Sequence, residues 1–223
     1  PLWLQQFMGY TATQAGMVMA PVGLLALVLS PVVGKNIGRV DPRYFATFAF
    51  LIFALVLWMR SMFNTQADIA TIMVPTIIQG VAMAFFFIPL VTITLSGLPP
   101  ERIPAASGLS NFVRITAGAV GTSVATTVWE NRAALHHAQL VESITLGNPV
   151  ASSALSGLTA SGIDPQQALA QVNRLVDQQA FMLAANDVFY VSALLFLLLI
   201  PLIWLTQPPK ASGAGADAAA GAH

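Results

Sequence analysis

Few side chains in this sequence are equipped for chemistry. The chain has no cysteine and three histidines, His136, His137 and His223, with nine basic residues balancing nine acidic ones. Without thiols there are no disulfides, thiolate metal ligands or cysteine nucleophiles. Three histidines do not make a histidine-rich cage, so no metal site and no cofactor are expected. No apolar stretch carries paired carboxylates, and no nucleophile and base sit at matching depth, which excludes the usual enzyme classes. A net charge of zero offers no field to hold nucleic acid. The polar groups left inside long apolar runs are Gln79, Asn111 and Arg114.

Arg114 lies about ten residues into its apolar run, roughly 15 Å at the helical rise. Its stem either snorkels to headgroups or places the guanidinium in an ion pair or a water-filled substrate cavity. Gln79 and Asn111 either hydrogen-bond a neighbouring helix or line a substrate path. With the aromatic run Phe85, Phe86 and Phe87, these residues are the candidates for a substrate cavity. Ala117, Gly121 and Ala125 recur every four residues, with Gly118 and Thr122 one step round. That spacing lets helix backbones approach closely, so Ala117, Gly118, Gly121 and Ala125 read as helix packing. Asp187 reads as an interfacial or capping charge, and His136 with His137 as solvated surface.

The elements that must carry these residues are membrane helices. Of 223 residues 56% are hydrophobic and 8% charged, against about 25% charged in soluble domains. Mean hydropathy is +0.73. Residues 1–34, 44–59, 69–100, 115–129 and 188–209 carry no charge. A span needs about 20 apolar residues, and the continuous runs lack the alternation of barrel strands. The expected architecture is all-α, a polytopic bundle of five transmembrane helices near 16–34, 43–62, 70–97, 105–130 and 187–206. The fourth begins before its charge-free stretch and so contains Arg114.

Residues 1–15 read as the outer end of a preceding span with a short outer loop. Pro1 to Gln6 carries no basic residue and no initiator Met precedes it. This predicts a fragment lacking an N-terminal part. Lys35, Arg39, Arg43, Arg102 and Lys210 fall on one side of the expected spans, and Arg60, Arg132 and Arg174 on the other. The positive-inside rule then places the C-terminus in the cytoplasm and the long excursion, 131–186, outside. Asp164 followed by Pro165 is a helix start, and Leu169, Val172, Val176, Ala180 and Leu183 form an apolar stripe leading into the last span. Leu140, Val141 and Ile144 make a shorter stripe ended by Gly147, Asn148 and Pro149. The two faces of this helical hairpin either pack on each other or dock a partner's helices. The Ala/Gly-rich tail, 207–223, is expected to be disordered.

The run from Pro1 to Gln5, then Gly9 to Gly16 and Pro21, resembles a junction of EmrB-type drug:proton antiporters, fourteen-span members of the major facilitator superfamily. Gly34 to Arg43 resembles the second copy of that superfamily's signature loop. Gly34, Arg39 and Arg43 match it, whereas Gly38 stands in the Asp position and Asp41 in that of the second Gly. Ser107 to Asn111, Arg114, Gly118 and Gly121, with Gln179 to Phe181 and Asp187 to Phe189, are similar to the same subfamily.

The resemblance covers the chain to about residue 207. It implies five helices forming most of the C-terminal half of a major facilitator fold, with the half bearing proton-linked carboxylates missing. It implies a gating role for Gly34, Arg39, Asp41 and Arg43. The activity implied is proton-coupled multidrug efflux by alternating access, in the bacterial inner membrane, on hydrophobic small molecules. The partners implied are the lipid bilayer, the missing N-terminal half, a periplasmic adaptor and an outer-membrane channel. The alternative is a truncated membrane scaffold whose hairpin binds a partner without transport. An upstream reading frame supplying about nine further spans separates the two.

Overall fold

The computed structural model describes residues 4–5, 9–64, 67–144 and 148–206. The expected tail, 207–223, Gly147, and most of the first eight residues lie outside the described residues. Helix α1 spans Ala12–Asn36, α2 Pro42–Arg60, α3 Ile69–Leu95, α4 Ile103–Ser143, α5 Pro149–Ala160 and α6 Pro165–Leu205. A 3-10 turn, Pro100–Arg102, leads into α4. No strand occurs among the described residues.

Each start has a local cause. Thr11 and Gln14 form a reciprocal capping box: the Thr11 hydroxyl accepts the Gln14 N–H at 3.3 Å, and the Gln14 amide oxygen accepts the Thr11 N–H at 2.9 Å. Asp41 and Asp164 each cap a helix that opens on proline, accepting the Arg43 and Gln166 N–H groups at 3.0 Å. Asp68 caps α3 and accepts from both the hydroxyl and the N–H of Thr71, which hold its carboxyl below its ordinary range. Gly162, at φ +86°, makes the turn between α5 and α6.

Helices α1, α2, α3 and α6 are long and apolar enough to cross a membrane. Helix α4 is long enough but less apolar, so the expected fourth span, 105–130, is not among those that composition and length select. Helices α4 and α6 each have 41 residues, about 60 Å at the helical rise, twice the roughly 30 Å hydrocarbon core. The second helix expected in the excursion at 131–186 is continuous with the last span, and the first is continuous with the rest of α4. The excursion consists of the far ends of α4 and α6 with the short α5 between them.

The helices pack in the order α1, α3, α2, α6, α4, with α5 resting on α6. One apolar cluster joins Ala15 and Val18 of α1 to Ile72 of α3 and to Leu4. A second joins Ala46 and Phe50 of α2 to Ile203 of α6, with Phe86 and Leu90 of α3 against it. Its rings interlock: Phe53 stacks on Phe196 at 5.1 Å, and Phe50 and Phe86 meet them edge-on or tilted. Helices α1 and α3 meet tightly at Gly80. A Cβ there would lie 2.9 Å from the Leu25 Cβ, 3.0 Å from the Pro21 carbonyl oxygen and 3.1 Å from the Val22 Cα.

Candidate functional site

Three of the residues selected for a cavity come together where α4 passes α3. The Arg114 guanidinium donates to the Asn111 Oδ1 at 2.6 Å, one turn back on α4. Its central carbon lies 6.0 Å from the centroid of the Phe87 ring, within cation–π range. Phe87 is 39% exposed, and Asn111 and Arg114 are exposed as well. No carboxylate pairs with Arg114 among the described residues. The cluster thus presents a cation, an amide and an aromatic face on an uncovered side of the bundle.

Gln79 sits elsewhere. It accepts from the Arg60 Nη2 at 2.6 Å, and Arg60 also reaches the Thr76 hydroxyl at 3.5 Å. Thr76 is fully buried and donates to the Ile72 carbonyl. Sequence placed Arg60 among loop charges. Instead, its side chain turns back along the α2–α3 seam and ties the end of α2 to the middle of α3. Phe85 and Phe86 also leave the cluster, because consecutive residues point about 100° apart on a helix. Phe85 meets Phe45 and Phe48 at 5.8 and 5.1 Å, and Phe86 lies among the core rings. Both pack on α2.

The four residues assigned to a gating loop fall into different environments. Gly34 lies within α1 with open space where a Cβ would be, and Arg39 is exposed. Asp41 is spent on capping α2. Arg43 is 7% exposed and donates to the Thr206 carbonyl at the end of α6, where a cation meets the negative end of the helix dipole. Beside it Trp204 donates to the Thr47 hydroxyl at 3.2 Å, and Tyr44 meets the Trp204 ring edge-on at 5.3 Å. This end of the bundle is fastened by α2 gripping the terminus of α6.

The small-residue face of α4 packs on nothing within the described chain. Residues 111–128 are exposed without interruption, and nothing lies within 4 Å of a Cβ placed at Gly118 or Gly121. Ala117 and Ala125 share that exposure, so the assigned packing face has no partner here. The same stretch bares Phe112, Val113, Ile115, Val120 and Val124, each more than half exposed.

Sequence reasoning missed a polar network where the outer part of α4 passes the middle of α6. Asp187 takes the Arg132 Nε and the His136 Nε2 on one oxygen, each at 2.9 Å. Trp129 donates to the Phe181 carbonyl at 3.0 Å, and Asn186 donates to the Phe63 carbonyl at 2.9 Å. The histidines read as solvated surface are therefore paired, and Asp187 bridges two helices rather than capping one.

This arrangement defines a multi-pass membrane helix bundle in which an exposed stretch of α4 carries a cation and an amide beside a ring of α3. Comparison with known proteins agrees with it. Residues 1–122 match the family model described as the Major Facilitator Superfamily. The whole chain aligns at 45% identity with multidrug export protein EmrB of Escherichia coli (strain K12), covering 43% of that protein. It is 42% identical, over 96% of its length, to fatty acid resistance protein FarB of Neisseria gonorrhoeae, covering 42% of it. It is 39% identical, again over 96%, to probable multidrug resistance protein EmrY of Escherichia coli (strain K12), covering 42% of it. The chain spans less than half the length of these relatives. No solved structure matches it. The chain belongs to the major facilitator superfamily.

Proposed function

We propose that this chain is part of a proton-coupled multidrug exporter of the bacterial inner membrane, working by alternating access, in which α4 lines the substrate path. The observation that carries this reading is the uncovered stretch 111–128 of α4 with the Asn111–Arg114–Phe87 cluster at its start. An intramembrane cation is costly unless it faces water, a partner or a ligand. In a protein more than twice this length, that face meets the remainder of the transporter. The small residues Ala117, Gly118, Gly121 and Ala125 permit a close approach there. The identity to proteins named for multidrug export and fatty acid resistance supports hydrophobic small molecules as the substrate class.

In this reading the Arg43–Thr206 end lies in the cytoplasm, with Gly34, Arg39 and the helix-capping Asp41 in the loop that moves during gating. The far ends of α4 and α6 project outside, where a periplasmic adaptor and its outer-membrane channel dock. The transporter binds no nucleic acid and performs no covalent chemistry on its substrate.

The test is transport by the whole protein. Full-length transporter is reconstituted in vesicles with a lipophilic fluorescent cation, and a pH gradient is imposed. The expected result is vectorial dye movement that follows the gradient and stops on adding a protonophore. Movement indifferent to the gradient overturns proton coupling, and no movement of any hydrophobic substrate overturns export.

A further inference from the structure

Helix α4 is fastened to the bundle over a short stretch. From 111 to 128 its residues are exposed without interruption. From Trp129 to His137 it is tied to α6. The Trp129 Nε1 donates to the Phe181 carbonyl at 3.0 Å, and the two rings meet edge-on at 5.3 Å. Ala133 is buried, so the helices lie close together there. His137 lies 3.3 Å from Asp177. Between these contacts the Arg132 Nε and the His136 Nε2 converge on one Asp187 oxygen, each at 2.9 Å.

That convergence does more than join two helices. A single contact leaves each helix free to roll about it. Arg132 and His136 stand four residues apart on α4, about 6 Å along its axis, yet both reach the same atom. Two contacts from different levels to one point set both the rotation of α4 and its height against α6. The α6 segment that carries this point is itself held, because Ala184 is buried and the Asn186 Nδ2 donates to the Phe63 carbonyl, just past the end of α2, at 2.9 Å.

The rotation set there is carried along α4. A helix returns to the same azimuth after 18 residues, or five turns. Asn111 lies 18 residues before Trp129, and Gly118 lies 18 before His136 (129 − 111 = 18; 136 − 118 = 18). Helix α4 is continuous over Ile103–Ser143, with no proline beyond Pro104 at its start to break it. The face turned toward α6 at Asp187 therefore determines where Asn111 and Arg114 point.

We propose that Asp187 is a positioning residue for the substrate path. By holding Arg132 and His136 on one oxygen, it fixes the rotation of α4 and so the direction in which Asn111 and Arg114 face. It touches no substrate. The proposal rests on the reading of α4 as a wall of that path, but its geometry is tested without transport.

Nitroxide labels are placed on Leu109→Cys of α4 and Leu198→Cys of α6, both well exposed and remote from the contact. The measurement is the distance distribution in the full-length transporter in lipid nanodiscs, with any cysteines outside this chain replaced. We expect a single narrow peak in the otherwise unaltered protein, and loss of that peak to a broad distribution in Asp187→Ala. Asp187→Glu, which keeps the carboxylate, should retain the peak. Arg132→Gln leaves His136 on the carboxylate and should give an intermediate width. Efflux should fall about fivefold in Asp187→Ala, the scale of one partly exposed ion pair, and recover in Asp187→Glu. A peak that stays narrow in both Asp187→Ala and Arg132→Gln overturns the proposal, even with a lowered melting midpoint, since Asp187 then contributes stability alone. A peak as broad in Asp187→Glu as in Asp187→Ala also overturns it. Broadening with undiminished efflux upholds the positioning of α4 and overturns its place in the substrate path.

Discussion

Gly80→Leu is expected to prevent the bundle from assembling. The space that a side chain would enter is bounded by the Pro21 carbonyl oxygen and the Val22 Cα at 3.0 and 3.1 Å, and by the Leu25 Cβ at 2.9 Å. Two of these three are backbone atoms, which a rotamer change cannot move. Helices α1 and α3 must separate, and α1 meets the rest of the bundle chiefly through α3. Overpacking a tight core costs about 1–3 kcal/mol and more where backbone must shift, a large share of a typical 5–15 kcal/mol stability. The expected result is loss of monodisperse protein in detergent or a sharply lowered unfolding midpoint. Gly23→Ala, on the opposing helix α1, is the control, since nothing lies within 4 Å of a Cβ placed there. It should match the wild type or gain slightly from helix propensity. A Gly80→Leu protein as stable as wild type would show that the helices do not meet there.

The second large effect concerns transport rather than folding. Arg114 and Asn111 lie on the exposed side of α4 and touch no core residue, so removing them leaves the bundle intact. If they line the path, Arg114→Ala removes the cation that faces substrate, and Asn111→Ala frees that cation from the acceptor that orients it. Hydrogen bonds to charged groups are worth about 1.5–3 kcal/mol, so proton-driven efflux by the full-length transporter should fall about ten- to a hundredfold in either variant. Thermal stability should be unchanged. If Arg114 only snorkels to headgroups, both variants transport like wild type, and the cluster has no part in the path.

The legible part of the fold was the part written locally. Charge-free runs marked the helices, and Asp164 with Pro165 marked the start of α6. What stayed hidden depends on how one helix is set against another. His136 and Asp187 are 51 positions apart, and nothing within either segment specifies the register that joins them. Arg60 looked like a loop charge because it is the last residue of α2, yet its long stem carries the charge back to Gln79. Phe85, Phe86 and Phe87 looked like one aromatic patch, but helical rotation divides them between the core and the open face. Gly80 signalled only an interruption in an apolar run. The signal that it is a contact point lies in Pro21 and Val22 of the opposing helix, and sequence spacing does not connect them.

The central claim is that one face of α4 borders a water-filled path. Because the chain contains no cysteine, single cysteines can be placed along α4 of the full-length transporter, with any cysteines outside this chain replaced. Residues 111 and 122 share a face, and residues 113 and 120 lie roughly opposite at about 100° per residue. The measurement is the rate of reaction with a charged, membrane-impermeant thiol reagent, with and without a hydrophobic substrate. The account predicts fast, substrate-protected labelling of Asn111→Cys and Thr122→Cys, and little labelling of Val113→Cys and Val120→Cys. Equal rates on the two faces, or inert cysteines at 111 and 122, would contradict it.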